Sequence, residues 1–230
     1  MKKYRHIYFD FDRTLWDFQT NSREALEDVF LKYKLDNVFA DADEFIKTYH
    51  KHNEKLWDKY RIGNITKDSL RSERFKLTLK EKEIEDSHLS ALIGKDYLDL
   101  SVLKTNLFPG THEILNYLKP SYSLYILTNG FRETQLQKLK NCDLEKYFDE
   151  IFTSETIEYN KPHPKIFHWA VTAVNARKRD CLMIGDDQKV DIKGAKSYGL
   201  DTVLFNPEND PVMEAPQYMI SDLLQLKEIL

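Results

Sequence analysis

Short apolar runs, most of them continuously apolar, recur in the first and last parts of the chain. They cover residues 7–9, 124–127, 150–153, 181–184 and 202–205. Hydrophobicity that is continuous rather than alternating is typical of parallel strands covered on both faces. Between these runs, residues 111–118, 164–174 and 191–198 place their apolar side chains on one helical face. Alternating strands and helices predict an α/β fold with a doubly wound, mostly parallel sheet and right-handed crossovers.

Two residues are expected to mark helix ends in the last part of the chain. Gly199 follows residues 191–198 and is a predicted C′ glycine. Ser221 is a predicted N-cap, after which a final helix would run to the end of the chain.

The segment from about residue 17 to residue 105 has a different pattern. It is helical in periodicity, heavily charged and without a convincing strand. A turn at Gly63 and Asn64 precedes Thr66, a predicted helix N-cap. We therefore predict an inserted α-helical cap of four or five helices over residues 17–105, with residues 1–16 and 106–230 forming the core. Such an insert would lie above the carboxyl ends of the strands, where ligands bind in open α/β sheets.

Composition narrows the function classes. The chain has 230 residues, 41% of them hydrophobic, and a net charge of −4. This charge argues against a nucleic acid polymer as partner, so an anionic substrate would need local neutralisation by a metal and a few cations. The two cysteines, Cys142 and Cys181, lack metal-site spacing and favour a reducing, cytoplasmic location. No run suits a signal peptide or a membrane span, so we expect a soluble protein without a membrane partner.

The strongest candidate for chemistry is the acidic pair after the first apolar run. Asp10 and Asp12 stand two residues apart at the end of a predicted buried strand. Carboxylates in that position suit a divalent cation and a nucleophile that share one site, although acidic pairs also occur in plain turns. Thr14 is expected to form a hydrogen bond within the turn. The orientation of Arg13, toward solvent or toward substrate, stays open.

Three further fragments add polar groups at the ends of predicted elements. Thr128 and Asn129 follow a strand, where the Thr hydroxyl and the Asn129 backbone N–H predict a small nest for phosphate oxygens. Lys161 precedes Pro162 and could place an ammonium beside Asp10. The last fragment follows another strand and contains three acids: Asp186, Asp187 and Asp191.

In order and spacing, these four fragments resemble the four catalytic motifs of the haloacid dehalogenase superfamily of phosphohydrolases. The resemblance covers roughly the first sixteen residues and everything after about Asn106. It implies a Rossmann-like core and an aspartyl-phosphate formed at Asp10, with Asp12 as general acid and base. It also implies that Lys161 neutralises both the nucleophile and the substrate phosphate bound by Thr128 and Asn129.

The same resemblance implies a magnesium ion. Its ligands would be Asp10, Asp186 and Asp12 through its backbone carbonyl, with Asp191 and, less securely, Asp187 as supporting partners. Asp12 favours phosphoryl transfer over dehalogenation, since only an alcohol leaving group needs a proton there.

A narrower resemblance concerns substrate choice. Residues 10–18 and 57–75 are similar to the pyrimidine 5′-nucleotidases that have a helical cap. The second stretch is rich in aromatic and basic residues: Trp57, Tyr60, Arg61, Asn64, Arg71, Arg74 and Phe75. A base would stack on an aromatic face and meet a cation or amide at its edge, although an amphipathic cap helix has the same composition. Trp16 and Phe18 would either contact the base or pack at a hinge.

The interpretation is therefore a magnesium-dependent phosphatase for a small phosphomonoester, with pyrimidine nucleotides as the implied substrates and Trp16, Phe18, Trp57, Asn64 and Arg74 as candidate specificity residues. A phosphoglycolate or sugar phosphate phosphatase is the alternative within enzymes. A non-catalytic, phosphate-binding regulatory protein is disfavoured because Asp10, Asp12, Lys161 and Asp186 are all present. A monomer and a homodimer both stay open.

Overall fold

The computed structural model describes residues 3–157 and 159–230 of the chain. These residues contain one six-stranded sheet in the order β3-β2-β1-β4-β5-β6, with every neighbouring pair parallel. The strands are β1 (His6–Phe9), β2 (Ser123–Thr128), β3 (Glu150–Thr153), β4 (Cys181–Gly185), β5 (Asp201–Phe205) and β6 (Tyr218–Ile220). The first five confirm the strands predicted from the apolar runs.

Helices cover both faces of this sheet. They are α5 (Thr111–Leu118), α6 (Arg132–Asn141), α7 (Pro164–Ala173) and α8 (Gly194–Tyr198). Along β1 the side chains alternate: Ile7 and Phe9 pack with α5 and α6, whereas Tyr8 packs with α7 and α8. Two cores therefore sandwich the sheet, which confirms the predicted doubly wound α/β fold.

The chain divides into two compact units. One contains the residues up to Phe18 together with Thr105–Leu230, and the other contains Gln19–Lys104. The second unit is built from most of α1 (Phe18–Lys32) and from α2 (Ala42–Arg61), α3 (Lys67–Lys80) and α4 (Ser87–Ser101). Its own core is aromatic, and the ring of Phe75 contacts those of Phe45, Tyr49 and Tyr97. Thr66 is the N-cap of α3, as its sequence context predicts.

The C-terminal part differs from the prediction in three places. Strand β6 was not predicted, because it is only three residues long and lies at the sheet edge with Met219 exposed. The final helix is a 3₁₀ helix, Leu223–Glu228, whose N-cap is Asp222 rather than Ser221. Asp222 and Gln225 form a capping box there, which is stronger than a serine cap alone.

The helix predicted over residues 191–198 begins earlier. A π-helical segment, Gln188–Lys193, precedes α8, and Gly199 ends α8 in the left-handed region at φ 99°. The Gly199 prediction is thus confirmed.

Both cysteines are buried thiols without a disulfide. Burial raises the pKa of Cys142 to about 11 and that of Cys181 to about 12, so both remain protonated at neutral pH. Their role in the fold is packing. No helix among the described residues has both the length and the apolar character that a membrane crossing requires.

The N-cap of the longest helix provides a test of the inserted unit. The Asp41 carboxylate accepts the backbone N–H of Glu44 at 2.8 Å at the start of α2. We expect Asp41→Ala to lower the free energy of unfolding by about 1 kcal/mol, measured by urea denaturation. Glu54→Ala removes an exposed carboxylate from the same helix and should change this energy by less than about 0.5 kcal/mol. Equal effects of the two substitutions would contradict the capping role.

Candidate active site

The carboxyl ends of the three central strands carry the predicted site residues. Asp10 follows β1, Thr128 ends β2 and Asp186 follows β4. Strand β1 lies between β2 and β4, and its Phe9 is in register with residues near the ends of both neighbours. Parallel strands end at one edge of the sheet, so the topology gathers residues that are far apart in sequence.

Lys161 connects residues from three different segments at this edge of the sheet. Its ammonium is buried and donates to Asp10 Oδ1 at 2.7 Å, Asp191 Oδ1 at 2.7 Å and the Leu127 carbonyl at 2.6 Å. These three acceptors satisfy the three donors of the ammonium. They also fix the lysine between the carboxyl end of β1 and the π-helical segment.

The side chain of Asn129 holds the loop that carries Lys161. Its Nδ2 donates to the Lys161 carbonyl at 2.9 Å, and its Oδ1 accepts the Lys161 N–H at 2.7 Å. Both polar atoms of the Asn129 side-chain amide are therefore engaged in hydrogen bonds within the protein. A contact from Asn129 to a substrate would have to use its backbone N–H.

Three carboxylates lie close together, and two of them contact the Lys161 ammonium. Asp10, Asp186 and Asp191 each place an oxygen within 4.8 Å of the others. Burial raises the pKa of Asp10 to about 7, against the opposing pull of Lys161 and with a further rise from Asp191. Burial, Asp10 and Asp191 likewise raise the pKa of Asp186 well above its usual range. The protein alone thus leaves negative charge at this edge uncompensated.

The pKa of Lys161 is also raised, but by the charges of its neighbours and not by burial. Burial by itself lowers the pKa of Lys161, but the charges of Asp10 and Asp191 outweigh burial and raise it. Lys161 is therefore a fixed positive charge at neutral pH. It acts as an electrostatic partner and not as a base.

The donor set fits a hard divalent cation. Asp191 is committed to the protein, since Oδ1 receives Lys161 and Oδ2 receives the backbone N–H of Asp187 at 3.2 Å. Asp10 and Asp186 are the remaining carboxylates of the cluster, and oxygen ligands of this kind suit Mg²⁺. The Thr14 backbone N–H bonds within the turn, to the Phe11 carbonyl at 3.3 Å, but its hydroxyl donates to Asp186 Oδ1 at 3.0 Å, a contact that was not predicted. The hydroxyl orients the Asp186 carboxylate from the neighbouring strand end.

Asp187 has a local structural role. Its Oδ1 accepts the backbone N–H groups of Lys189 and Val190, both at 2.9 Å, and so caps the π-helical segment. Gly185 has a steric role, because a Cβ there would lie 2.3 Å from Asp191 Oδ2 and 2.7 Å from Asp191 Cβ. Only glycine lets Asp191 approach the strand end closely enough to reach Lys161.

The Asp12 carboxylate has its own pair of partners, which sequence reasoning missed. Oδ2 accepts Gln135 Nε2 at 2.7 Å, and Oδ1 accepts Lys138 Nζ at 2.5 Å. Gln135 and Lys138 lie three residues apart on α6, on the same buried face as Leu139. A lysine at a position of the helix that faces the core was the available signal, since a buried ammonium requires an acceptor.

Comparison with known proteins identifies the family. The sequence profile of haloacid dehalogenase-like hydrolases matches residues 4–199. The chain belongs to this family. It is 32% identical to the HAD-hydrolase YfnB of Bacillus subtilis over 100% of this chain and 97% of that protein. It is 31% identical to the pyrimidine 5′-nucleotidase YjjG of Escherichia coli over 99% of this chain and 98% of that protein.

Solved structures agree with this assignment. The magnesium-bound crystal structure of YfnB, described as revealing interdomain movement, matches with a TM-score of 0.90 at 32% identity and covers 100% of this chain and 99% of its own. The L-2-haloacid dehalogenase of Xanthobacter autotrophicus has a TM-score of 0.76 at 18% identity over 100% of this chain and 98% of its own. At that identity the likeness shows the fold alone.

In this haloacid dehalogenase-like hydrolase, the turn after β1 buries a residue that was predicted to meet a substrate base. Trp16 is only 1% exposed and belongs to the core cluster on one face of the sheet. The Lys138 ammonium lies 3.5 Å from the centre of its ring. Of the two alternatives for Trp16, packing is the one that this geometry favours, because its ring lies in the core and against a cation.

Arg13 and Phe18 pair beside that turn. Arg13 adopts a left-handed conformation at φ 69°, a region that glycine occupies more easily. Its guanidinium lies 5.0 Å from the centre of the half-buried Phe18 ring. The sequence left the orientation of Arg13 open, and the structure directs its side chain onto the Phe18 ring in a cation–π contact.

The candidate specificity residues of the inserted unit differ in exposure. Asn64 is exposed in the turn before α3, and Trp57 is half-buried with its ring 5.6 Å from that of Tyr60. Arg74 is buried and donates from Nη1 to the Tyr49 hydroxyl at 3.2 Å. Its Nε and Nη2 are buried without a hydrogen-bond partner among the residues that the structure describes. Phe75, by contrast, is wholly in the core of the unit.

A glycine-to-alanine substitution tests the contact between Asp191 and Lys161. The added methyl in Gly185→Ala must displace Asp191, so we expect roughly a 100-fold loss in kcat/KM from misplacement of Lys161. Gly94→Ala makes the same chemical change in α4, where the methyl would lie an ordinary 3.5 Å from Phe75. This control should keep full activity. An equally active Gly185→Ala protein would show that catalysis does not need the observed Asp191 position.

Proposed function

We propose that the protein is a magnesium-dependent phosphatase that hydrolyses small phosphomonoesters through an aspartyl-phosphate at Asp10. The observation that supports this most directly is the arrangement of Asp10 against the buried ammonium of Lys161. A carboxylate can attack a phosphate only if the negative charge of both groups is offset. Lys161 supplies that offset at the nucleophile, and Asp12 stands two residues away as the proton donor.

In the first step, an Asp10 carboxylate oxygen attacks phosphorus and the bond from phosphorus to the ester oxygen breaks. Asp12 transfers its proton to that oxygen, which leaves as an alcohol. Lys161 is bonded to Asp10 Oδ1, so Oδ2 is the oxygen assigned to the attack. The products are the alcohol, the aspartyl-phosphate and an ionised Asp12.

In the second step, Asp12 removes a proton from a water molecule, and the water oxygen attacks phosphorus. The bond from phosphorus to Asp10 breaks, which releases inorganic phosphate and restores the Asp10 carboxylate. The proton taken from water replaces the one that left with the alcohol, so Asp12 is again a protonated acid and the cycle balances.

The phosphate oxygens would be held by the end of β2. Thr128 Oγ1 accepts the Gly130 N–H at 3.0 Å, which leaves the hydroxyl proton for donation to phosphate. The Asn129 backbone N–H would add a second donor, since its side chain is bonded to Lys161. Together with the Lys161 ammonium, these groups form a small anion site.

The magnesium ion would be held by the carboxylates of Asp10 and Asp186 and by the Asp12 backbone carbonyl. When bound, it supplies positive charge to the phosphate oxygens and the attacking carboxylate. Asp186 is oriented for this role by Thr14, and Asp191 supports it indirectly by fixing Lys161.

For the substrate we propose a pyrimidine nucleoside 5′-monophosphate, with the unit Gln19–Lys104 acting as the cap that selects it. Support comes from two relatives that are named as pyrimidine 5′-nucleotidases, YjjG and PynA of Streptococcus pneumoniae. PynA is 29% identical over 90% of this chain and 85% of its own length. In the proposed cap, the buried donors of Arg74 that lack a partner among the described residues would suit a ligand with carbonyl edges, provided that the cap opens to expose them. Trp57 and Asn64 are further candidates for contact with the base.

A small-metabolite phosphatase is the second candidate. The human N-acylneuraminate-9-phosphatase is 25% identical over 100% of this chain and 95% of its own length. The glyceraldehyde 3-phosphate phosphatase of Pyrococcus furiosus is 27% identical over 100% of this chain and 94% of that protein. By these names, the two relatives act on a sugar-acid phosphate and a triose phosphate, which makes such small phosphomonoesters the second candidate substrates.

Phosphate release over a substrate panel distinguishes the two candidates. We expect UMP, dUMP and dTMP to be turned over in preference to purine nucleotides, phosphoglycolate and sugar phosphates when Mg²⁺ is present. Asp10→Asn should reduce release to background, because a neutral amide cannot replace the nucleophile. Preference for sugar or triose phosphates would support the second candidate. Release that persists in Asp10→Asn would reject the aspartyl-phosphate.

The raised carboxyl pKa values predict how magnesium affects stability. The pKa of Asp10 is about 7 in the folded chain, above its ordinary 3.8, so between these values the folded state holds more protons than the unfolded state. Stability of the metal-free protein should therefore fall as pH rises through this interval. Mg²⁺ offsets the charge of the ionised carboxylates, so the increase in Tm that it causes should be larger at about pH 8 than at about pH 5.5.

The matched variant for this experiment is Asp186→Asn. It removes one carboxylate from the cluster but keeps the shape of the side chain, so the magnesium-dependent rise in Tm should shrink at both pH values. A rise of equal size at the two pH values in the unsubstituted protein would contradict the predicted link between carboxyl charge and metal binding.

A further inference from the structure

Lys138 is a second buried lysine at the site, and nothing in the reaction as described so far uses it. We propose that Lys138 and Gln135 are positioning residues that hold the Asp12 carboxyl in the orientation from which it protonates the leaving oxygen. This inference rests on the proposed function, since it concerns the acid of that reaction.

The two contacts constrain the carboxyl group more than either would alone. Lys138 Nζ lies 2.5 Å from Asp12 Oδ1, and Gln135 Nε2 lies 2.7 Å from Oδ2. A single donor would leave the carboxyl free to rotate about its terminal torsion. Two donors from one helical face fix both its position and its plane.

Lys138 is itself held in place. It is 5% exposed, and its ammonium lies 3.5 Å from the centre of the Trp16 ring. Trp16 belongs to the same turn as Asp12: its carbonyl accepts the Arg13 N–H at 2.8 Å, and it forms backbone bridges to Asp12 and Leu107. The turn that presents Asp12 therefore also supplies the aromatic surface on which the partner of Asp12 rests.

A purely structural role explains this pair poorly. Removing an ammonium from water costs free energy, and apolar residues of similar volume often stabilise a fold as well as a buried ion pair does. Here the ammonium is directed at a carboxylate whose side chain is still 27% exposed. The charge of Lys138 is thus directed at a side chain that solvent still reaches, the one that must transfer a proton.

The two buried lysines divide the carboxylates between them. Lys161 contacts Asp10 and Asp191, whereas the ion pair of Lys138 among the described residues is with Asp12. One lysine therefore offsets the charge of the nucleophile and the other orients the acid. Substitution of Lys161 and substitution of Lys138 should therefore produce different kinetic defects.

The defect expected from Lys138 depends on the leaving group. General acid catalysis contributes roughly 100- to 10,000-fold to a rate when the leaving oxygen needs a proton. An alkyl phosphate, such as a nucleoside monophosphate, releases a poor leaving group that needs this proton. The p-nitrophenolate ion leaves without one, so a misplaced acid should matter little for p-nitrophenyl phosphate.

The test compares kcat/KM for UMP and for p-nitrophenyl phosphate in Lys138→Met and Gln135→Met, with Mg²⁺ present. For each ester, kcat/KM reports the steps up to the departure of the leaving group. Hydrolysis of the aspartyl-phosphate therefore does not affect it. We expect Lys138→Met to lose about 100-fold with UMP and less than about 3-fold with p-nitrophenyl phosphate. Gln135→Met should show the same selectivity with a smaller loss.

Three further variants make the result specific. Asp12→Asn should show the same dependence on leaving group, and combining it with Lys138→Met should add no further loss, because both changes act on one group. Lys138→Arg should recover part of the UMP activity, since it keeps a donor beside Asp12. Lys140→Met changes an exposed lysine of the same helix and should leave kcat/KM unchanged for both UMP and p-nitrophenyl phosphate.

Each other outcome overturns the proposal. Equal losses with the two esters would mean that Lys138 supports the fold or phosphate binding rather than the acid, and unchanged activity would make the contact dispensable. Should Lys138→Met fail to fold by circular dichroism, Gln135→Met decides between the same outcomes. If the unsubstituted protein turned over neither ester nor any other phosphomonoester, the proposed function would be rejected, and this inference with it.

Discussion

The hydrogen bonds of the buried Lys161 ammonium are the interaction on which the rest of the site depends. They join Asp10 to Asp191 and to the Leu127 carbonyl, all within 2.7 Å. A buried ammonium is stable only while its acceptors stay in place, so the position of each carboxylate depends on the others. Asn129 fixes the loop that brings the lysine in, and Gly185 provides the space in which Asp191 reaches it.

The sheet topology explains why acidic groups crowd at this edge despite the cost. Parallel strands point their carboxyl ends the same way, and the central position of β1 places Asp10 between the strand ends of β2 and β4. Burial together with neighbouring carboxylates raises the pKa of both Asp10 and Asp186. An edge with excess negative charge and one fixed ammonium is suited to a divalent cation, and the family to which the chain belongs provides an independent reason to expect hydrolytic chemistry there.

The turn after β1 shows how one short segment can serve several purposes. Asp10 contacts Lys161, Thr14 orients Asp186, and Trp16 lies in the core beneath Lys138. These contacts come from three different parts of the chain, so the turn is held by tertiary packing rather than by its own sequence. The left-handed backbone of Arg13 is accommodated in this setting. Such over-determination is the usual basis of a rigid arrangement of catalytic groups.

The sequence by itself determined most of the elements and their chemistry. Five apolar runs became strands, and Asp10 and Asp186 met because parallel strands end at one edge, whereas Lys161 comes to that edge on a loop held by Asn129. These features follow from local periodicity and from a general rule of α/β folds, both visible in one dimension. The tertiary structure alone decided which distant side chain completes each group. No periodicity in the sequence indicates that Lys138 reaches Asp12 across 126 positions, or that Trp16 packs inward. Such pairings depend on how separate elements pack in three dimensions.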